Sequence, residues 1–159
     1  MSKLIRGLIR YVRKRYAGAQ IKVRLLAVVA FAIFAYLGGN DAADIARSIS
    51  NPSSMAVTLG ITEQESTVRA VVLCMLSAII CLASLATVLG AIQRTTLLRG
   101  WIVVTVGYAL YALIQLGFAI LLMHATQVQA FIPVLYLVLA AAAYSFGRQV
   151  SRALDPVVH

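Results

Sequence analysis

The sequence predicts an all-α integral membrane protein: a four-transmembrane-helix bundle with an N-terminal amphipathic interfacial helix. Three observations predict it. The chain is 62% apolar and 12% charged, where soluble domains carry about 45–50% and about 25%. The stretches 70–93 and 100–147 contain no Asp, Glu, Lys or Arg, and runs of that length suit a hydrocarbon solvent. Eight of the 14 Lys and Arg residues crowd into the first 24 positions and stop where the uncharged stretch 25–39 begins. Cations beside a hydrophobic span are retained on the cytoplasmic side, so this boundary orients the first span and, by alternation, the later ones.

The arm, residues 1–20, comes first. On a helical wheel Lys3, Arg6, Arg10, Arg13 and Lys14 share an arc of about 100°, opposite Leu4, Ile5, Leu8, Ile9, Tyr11, Val12 and Tyr16. Such a helix is expected to lie in the interface, its cations on anionic headgroups at about 1 kcal/mol each. The net charge of +9 is concentrated in this arm and at span ends rather than over a folded face, which points to a membrane surface and not to nucleic acid. Gly18 offers a bend into span one, expected over 21–38. A cleaved signal peptide shares the basic-then-apolar order, but the basic region here is long and no A-x-A site follows Leu37.

After Gly38-Gly39 the reading places an outer loop over 40–61, with a short helix from Asn40 or Asp41 to Ile49 lying on the mouth of the bundle. Thr62-Glu63-Gln64-Glu65 has the form of a capping box, and Glu65 stands four residues before Arg69, the spacing of an ion pair on one helix face. Span two is expected over 66–92 and span three over 101–123, with Trp101 where an interfacial tryptophan belongs. Span four is expected over 130–147 with Pro133 in its first turn, where the missing N–H costs little. A cytoplasmic tail, 148–159, follows.

On this layout the membrane domain is 21–147. Twelve Lys or Arg lie inside and two, Arg47 and Arg69, outside, whereas the acids Asp41, Asp44, Glu63 and Glu65 lie outside and Asp155 inside. The expected location is the cytoplasmic (inner) membrane of a bacterium, both termini cytoplasmic.

Chemistry is sparse. Beyond Lys22, Arg24 and Arg69 at their ends, the expected spans hold no carboxylate, Lys or Arg, and intramembrane ionisable residues are the usual mark of proton relays, ion paths and metal sites. No metal-protease, dithiol, serine-elbow or phosphate-loop spacing occurs. Cys74 and Cys81, seven apart on one helix, stand about 10 Å apart along the axis and cannot bridge each other. The expectation is therefore no enzyme, no cofactor and no metal. An enzymatic alternative would have to use His124 with Glu63 or Glu65.

Polar and small residues nonetheless fall in stripes. Span two carries Cys74, Ser77, Cys81 and Ser84 on one side and Ala86 and Gly90 on the other; span four carries Ala140, Ala143 and Gly147. Small residues at such spacing let helices approach closely in lipid, so these are candidates for helix packing or an oligomer interface. Thr105, Tyr108 and Gln115 share an arc of span three and are candidates for lining a pore or pocket. The function expected is a non-catalytic multi-pass subunit of a larger membrane assembly, a homo-oligomer or a multi-protein complex, with itself, other membrane subunits and anionic lipid as partners. An oligomeric pore or small-solute carrier is the alternative.

Overall fold

The computed structural model describes residues 3–51, 53, 56–57, 61–93, 96–121 and 127–154, and these are helical apart from short connections. Four helices carry the fold: α1, Lys3–Ile49; α2, Glu63–Gln93; α3, Gly100–Leu121; and α4, Gln127–Leu154. A 3-10 turn, Thr96–Arg99, leads into α3. Each of the four includes a segment long and apolar enough to cross a membrane, over Ile21–Ile49, Glu63–Gln93, Gly100–Phe118 and Phe131–Ala153. Around the bundle α1 packs along α2, α2 against α3, α3 against α4, and α4 back against α1.

The helices pack through a recurring seam. On α2 the buried residues Ser66, Ala70, Leu73, Ser77, Ile80, Ser84, Thr87 and Ala91 alternate steps of four and three, the repeat that keeps one stripe facing its neighbours along a long helix. Ala27, Phe31, Phe34 and Gly38 repeat it on α1, and Ala140, Ala143, Gly147 and Val150 on α4. The core at mid-length gathers Phe31, Phe34, Ile80, Val104, Tyr108, Ala140 and Ala143, and a second cluster gathers Ala27, Ala91, Leu98 and Val150. Large apolar residues such as Leu25, Ile33, Met75, Leu82, Leu113, Phe131 and Val138 point outward from all four helices. Serines, a threonine and glycines are thus buried beside the aromatic and aliphatic core while large apolar side chains face outward, the distribution that close helix packing in lipid favours.

Three local expectations are corrected. Neither Gly18 nor Gly38-Gly39 interrupts α1, so the helix expected on the mouth of the bundle is the last part of the first helix. The glycine pair is a notch for close approach: a Cβ on Gly38 would stand 3.1 Å from Cys81 N, 3.1 Å from Ser77 O and 3.2 Å from Ile80 Cγ2, and one on Gly39 would stand 3.5 Å from Cys81 Sγ. Pro133 lies inside α4 and not in its first turn, because the helix already starts at Gln127. The Glu65–Arg69 pair does not form.

The cap that occupies Glu65 was legible. Glu65 N donates to Thr62 Oγ1 at 3.2 Å, Thr62 N donates to Glu65 Oε2 at 3.1 Å, and the threonine hydroxyl donates to the same oxygen at 2.9 Å. These bonds satisfy donors that an uncapped helix start would leave without partners.

Candidate functional site

Two polar side-chain contacts between helices lie near the end where α1 finishes and α2 starts. Because α1 continues past Gly39, Asp41 lies on a membrane-length helix and its Oδ2 accepts a 2.7 Å hydrogen bond from the Tyr136 hydroxyl of α4. The expectation of a first span without a carboxylate is therefore corrected: Asp41 falls within a segment long and apolar enough to cross a membrane, Ile21–Ile49. Asp41 stays with the first helix because nothing breaks α1 at the glycines. The Tyr136 ring lies 4.1 Å from that of Tyr111 and 6.0 Å from that of Tyr108, centroid to centroid. Tyr108 in turn meets Phe34 at 5.7 Å and donates a long, 3.4 Å hydrogen bond to the Phe34 carbonyl. One polar and aromatic cluster thus joins α1, α3 and α4.

A second contact joins α2 to α3. Arg69 Nη2 donates to Gln115 Oε1 at 2.6 Å, and the guanidinium carbon sits 4.6 Å from the centre of the Phe118 ring. Arg69 turns away from Glu65 because the cap already holds that carboxylate, while Gln115 and the ring offer a hydrogen-bond acceptor and a π-face. The Arg69 Nε is buried without a hydrogen-bond partner.

The two sequence-predicted sets take different places. Ser77, Ser84, Gly90, Ala140, Ala143 and Gly147 are buried and Cys74, Cys81 and Ala86 half-buried, all within the contacts of this single chain. Cys74 Sγ donates to the Ala42 carbonyl at 3.5 Å, Ser84 Oγ to its own helix at the Ile80 carbonyl at 2.7 Å, and both cysteines are free thiols. Gly147 seats the Trp101 ring, whose atoms would approach an added Cβ to 2.3 Å. Trp101 Nε1 donates to Ser151 Oγ at 2.9 Å, and the ring meets Tyr144 edge-on at 5.8 Å. Trp101 is thus a packing residue between α3 and α4 at the opposite end. Most of the small residues that are candidates for helix packing or an oligomer interface thus pack among the four helices themselves.

Thr105, Tyr108 and Gln115 are not brought together around an open path. Thr105 Oγ1 donates to the Trp101 carbonyl at 2.9 Å on its own helix, Tyr108 is buried in the core, and Gln115 holds Arg69. The side chains of Lys3, Arg6, Arg10, Arg13 and Lys14 lie outside the described residues, as does His124. Among the described residues no group of three or more His, Cys, Asp or Glu could hold a metal ion.

Sequence reasoning missed Asp41, Tyr136 and Tyr111 as a cluster and Arg69 with Gln115 as a pair. A faint signal was available. Asp41 and Arg69 each directly flank an uncharged run, and a charge that close to an apolar segment gains from a partner on a neighbouring helix.

These features define a helical bundle of membrane-crossing proportions, tied near one end by polar contacts between helices. No protein-family model matches the chain, and neither a curated protein nor a solved structure matches it.

Proposed function

We propose that this chain is a non-catalytic multi-pass subunit of a membrane assembly, formed with itself or with other membrane proteins. It sits with both termini on the cytoplasmic side and its basic arm on anionic headgroups of a bacterial inner membrane. The observation that carries the reading is that the inward polar side chains near the loop end bond across helices: Asp41 with Tyr136, Arg69 with Gln115, Tyr108 with the Phe34 carbonyl. Groups engaged in this way fix helix positions, worth on average about 0.6 kcal/mol per contact in a bilayer, and do not present a nucleophile or a wet path to a substrate. A rigid bundle of this kind acts through its outward surface, which is aliphatic on every helix, and through the arm, which continues α1 without interruption.

Since Ser77, Ser84, Gly90, Ala140, Ala143 and Gly147 are buried within the chain, the outward positions are where a partner is tested. Single cysteines at the exposed residues Tyr36, Leu82, Leu113 and Leu137, one on each helix, test this in a Cys74→Ala, Cys81→Ala background. Oxidative or bifunctional thiol cross-linking in native membranes should give a specific product from at least one position. Monomer from all four counts against an assembly.

A further inference from the structure

Between the start of α2 and the end of α3 lies a cavity of about 370 Å³, lined by Thr62, Gln64, Glu65, Val68, Arg69 and Phe118. Arg69 is its distinctive group. The guanidinium is half-buried, gives one hydrogen bond to the neutral Gln115, rests on Phe118, and keeps its Nε out of solvent with no partner. Glu65, one turn earlier, accepts hydrogen bonds at its Oε2 from the Thr62 amide and hydroxyl. Among the described residues the single salt bridge is Arg47–Asp44, elsewhere on the surface. Arg69 therefore carries a positive charge that is partly removed from water and matched by no carboxylate. A charge so placed gains from an anion, and the planar fork of a guanidinium suits phosphate oxygens best.

The surroundings narrow the anion. Glu65 lines the same cavity and Glu63 stands exposed one residue before Gln64, so a ligand of net negative charge meets repulsion beside the arginine. A phosphodiester that carries its own cation meets attraction at both ends, its ammonium facing Glu65. Val68 lines the cavity while being 58% exposed, and Val71, Val72 and Met75 continue the exposed apolar surface along α2, a lane fit for an acyl chain. We propose that this cavity binds the headgroup of a zwitterionic phospholipid, its phosphate on Arg69, its ammonium toward Glu65 and its chains along the outward face of α2. The proposal rests on the membrane reading of the chain and goes beyond it by assigning a site.

The test uses the full chain, purified in mild detergent, delipidated, and offered phosphatidylethanolamine and phosphatidylglycerol of identical acyl chains, with retained lipid read by native mass spectrometry. The wild type should retain phosphatidylethanolamine about ten-fold over phosphatidylglycerol, the ratio that a charge-assisted contact typically supplies. Arg69→Gln should lower phosphatidylethanolamine retention to the phosphatidylglycerol level. Glu65→Gln keeps a residue able to cap the helix, and it should abolish the discrimination while phosphatidylethanolamine still binds. Equal retention of both lipids by the wild type, or an unchanged ratio in Glu65→Gln, overturns the proposal, and the second variant decides the matter if Arg69→Gln does not fold. Binding of O-phosphoethanolamine as tight as that of the lipid would make the ligand soluble and overturn the lipid assignment. Liposome flotation separates the two levels. Protein that fails to float refutes the membrane reading, whereas floating protein without lipid preference refutes this site alone.

Discussion

Gly147→Ala offers a direct trial of how α3 and α4 are locked together. A Cβ at position 147 would stand 2.3 Å from Trp101 Cδ2, 2.4 Å from Cγ and 2.6 Å from Cε3. These atoms are the root and fused edge of the indole, not the free end of a flexible chain, so the ring must move by about 1 Å or more to reach ordinary contact at about 3.5–4.0 Å. That movement strains the 2.9 Å bond from Trp101 Nε1 to Ser151 Oγ, worth about 0.6 kcal/mol in a bilayer. Overpacking adds about 1–3 kcal/mol, while replacing glycine inside a helix returns about 1 kcal/mol. The net expectation is a loss of about 0.6–2.6 kcal/mol, with Gly117→Ala as control because nothing lies within 4 Å of a Cβ there. Unfolding in mixed micelles by titration with a denaturing detergent gives the stabilities. The sole tryptophan of the chain, Trp101, reports the ring's displacement through its emission maximum. In a Trp101→Leu background the Gly147→Ala penalty should largely vanish, since contacting residues do not add independently. Unchanged stability and emission in Gly147→Ala would refute the seat of the ring on the glycine.

Three further outcomes follow from the same contacts. In the Cys74→Ala, Cys81→Ala background a cysteine at Ser53 should react with an impermeant maleimide added to intact cells and one at Ser2 should not; the reverse pattern inverts the proposed orientation. A double-mutant cycle of Asp41→Asn with Tyr136→Phe should return a coupling of about 0.6–1.7 kcal/mol in the same unfolding assay, and a coupling near zero would dissolve the tie between α1 and α4. A synthetic peptide of residues 1–20 should become helical and bind anionic vesicles more tightly than neutral ones, an advantage lost when Arg6, Arg10, Arg13 and Lys14 are neutralised together. No helical signal on anionic vesicles would leave the arm as an insertion signal alone.

How much could be read from the sequence depended on how far apart the deciding groups lay. The four membrane-length helices announce themselves through uncharged runs, and the Thr62 cap through residues three apart, because both are local. Gly38-Gly39 misled for the complementary reason: taken locally, two glycines end a helix, yet here their lack of side chains is used by the backbone of α2 about forty residues on. The small-residue stripe of α2 was visible, but whether it faced a neighbour in the same chain or another copy could not follow from periodicity. Ser77, Ser84 and Gly90 prove buried within the single chain. Arg69 shows the limit most clearly. Its i−4 partner Glu65 was the local choice, whereas Gln115 is 46 residues away and comes within reach once α2 and α3 are docked. Asp41 with Tyr136, 95 residues apart, is invisible for the same reason.

Whether the bundle works as part of an assembly is decided by native mass spectrometry of the full chain released from its own membranes in the mildest detergent that dissolves them. The mass should exceed 17.1 kDa by one or more further protein chains and persist on dilution. A single chain bearing lipid alone, at every detergent and concentration tried, would contradict an assembly.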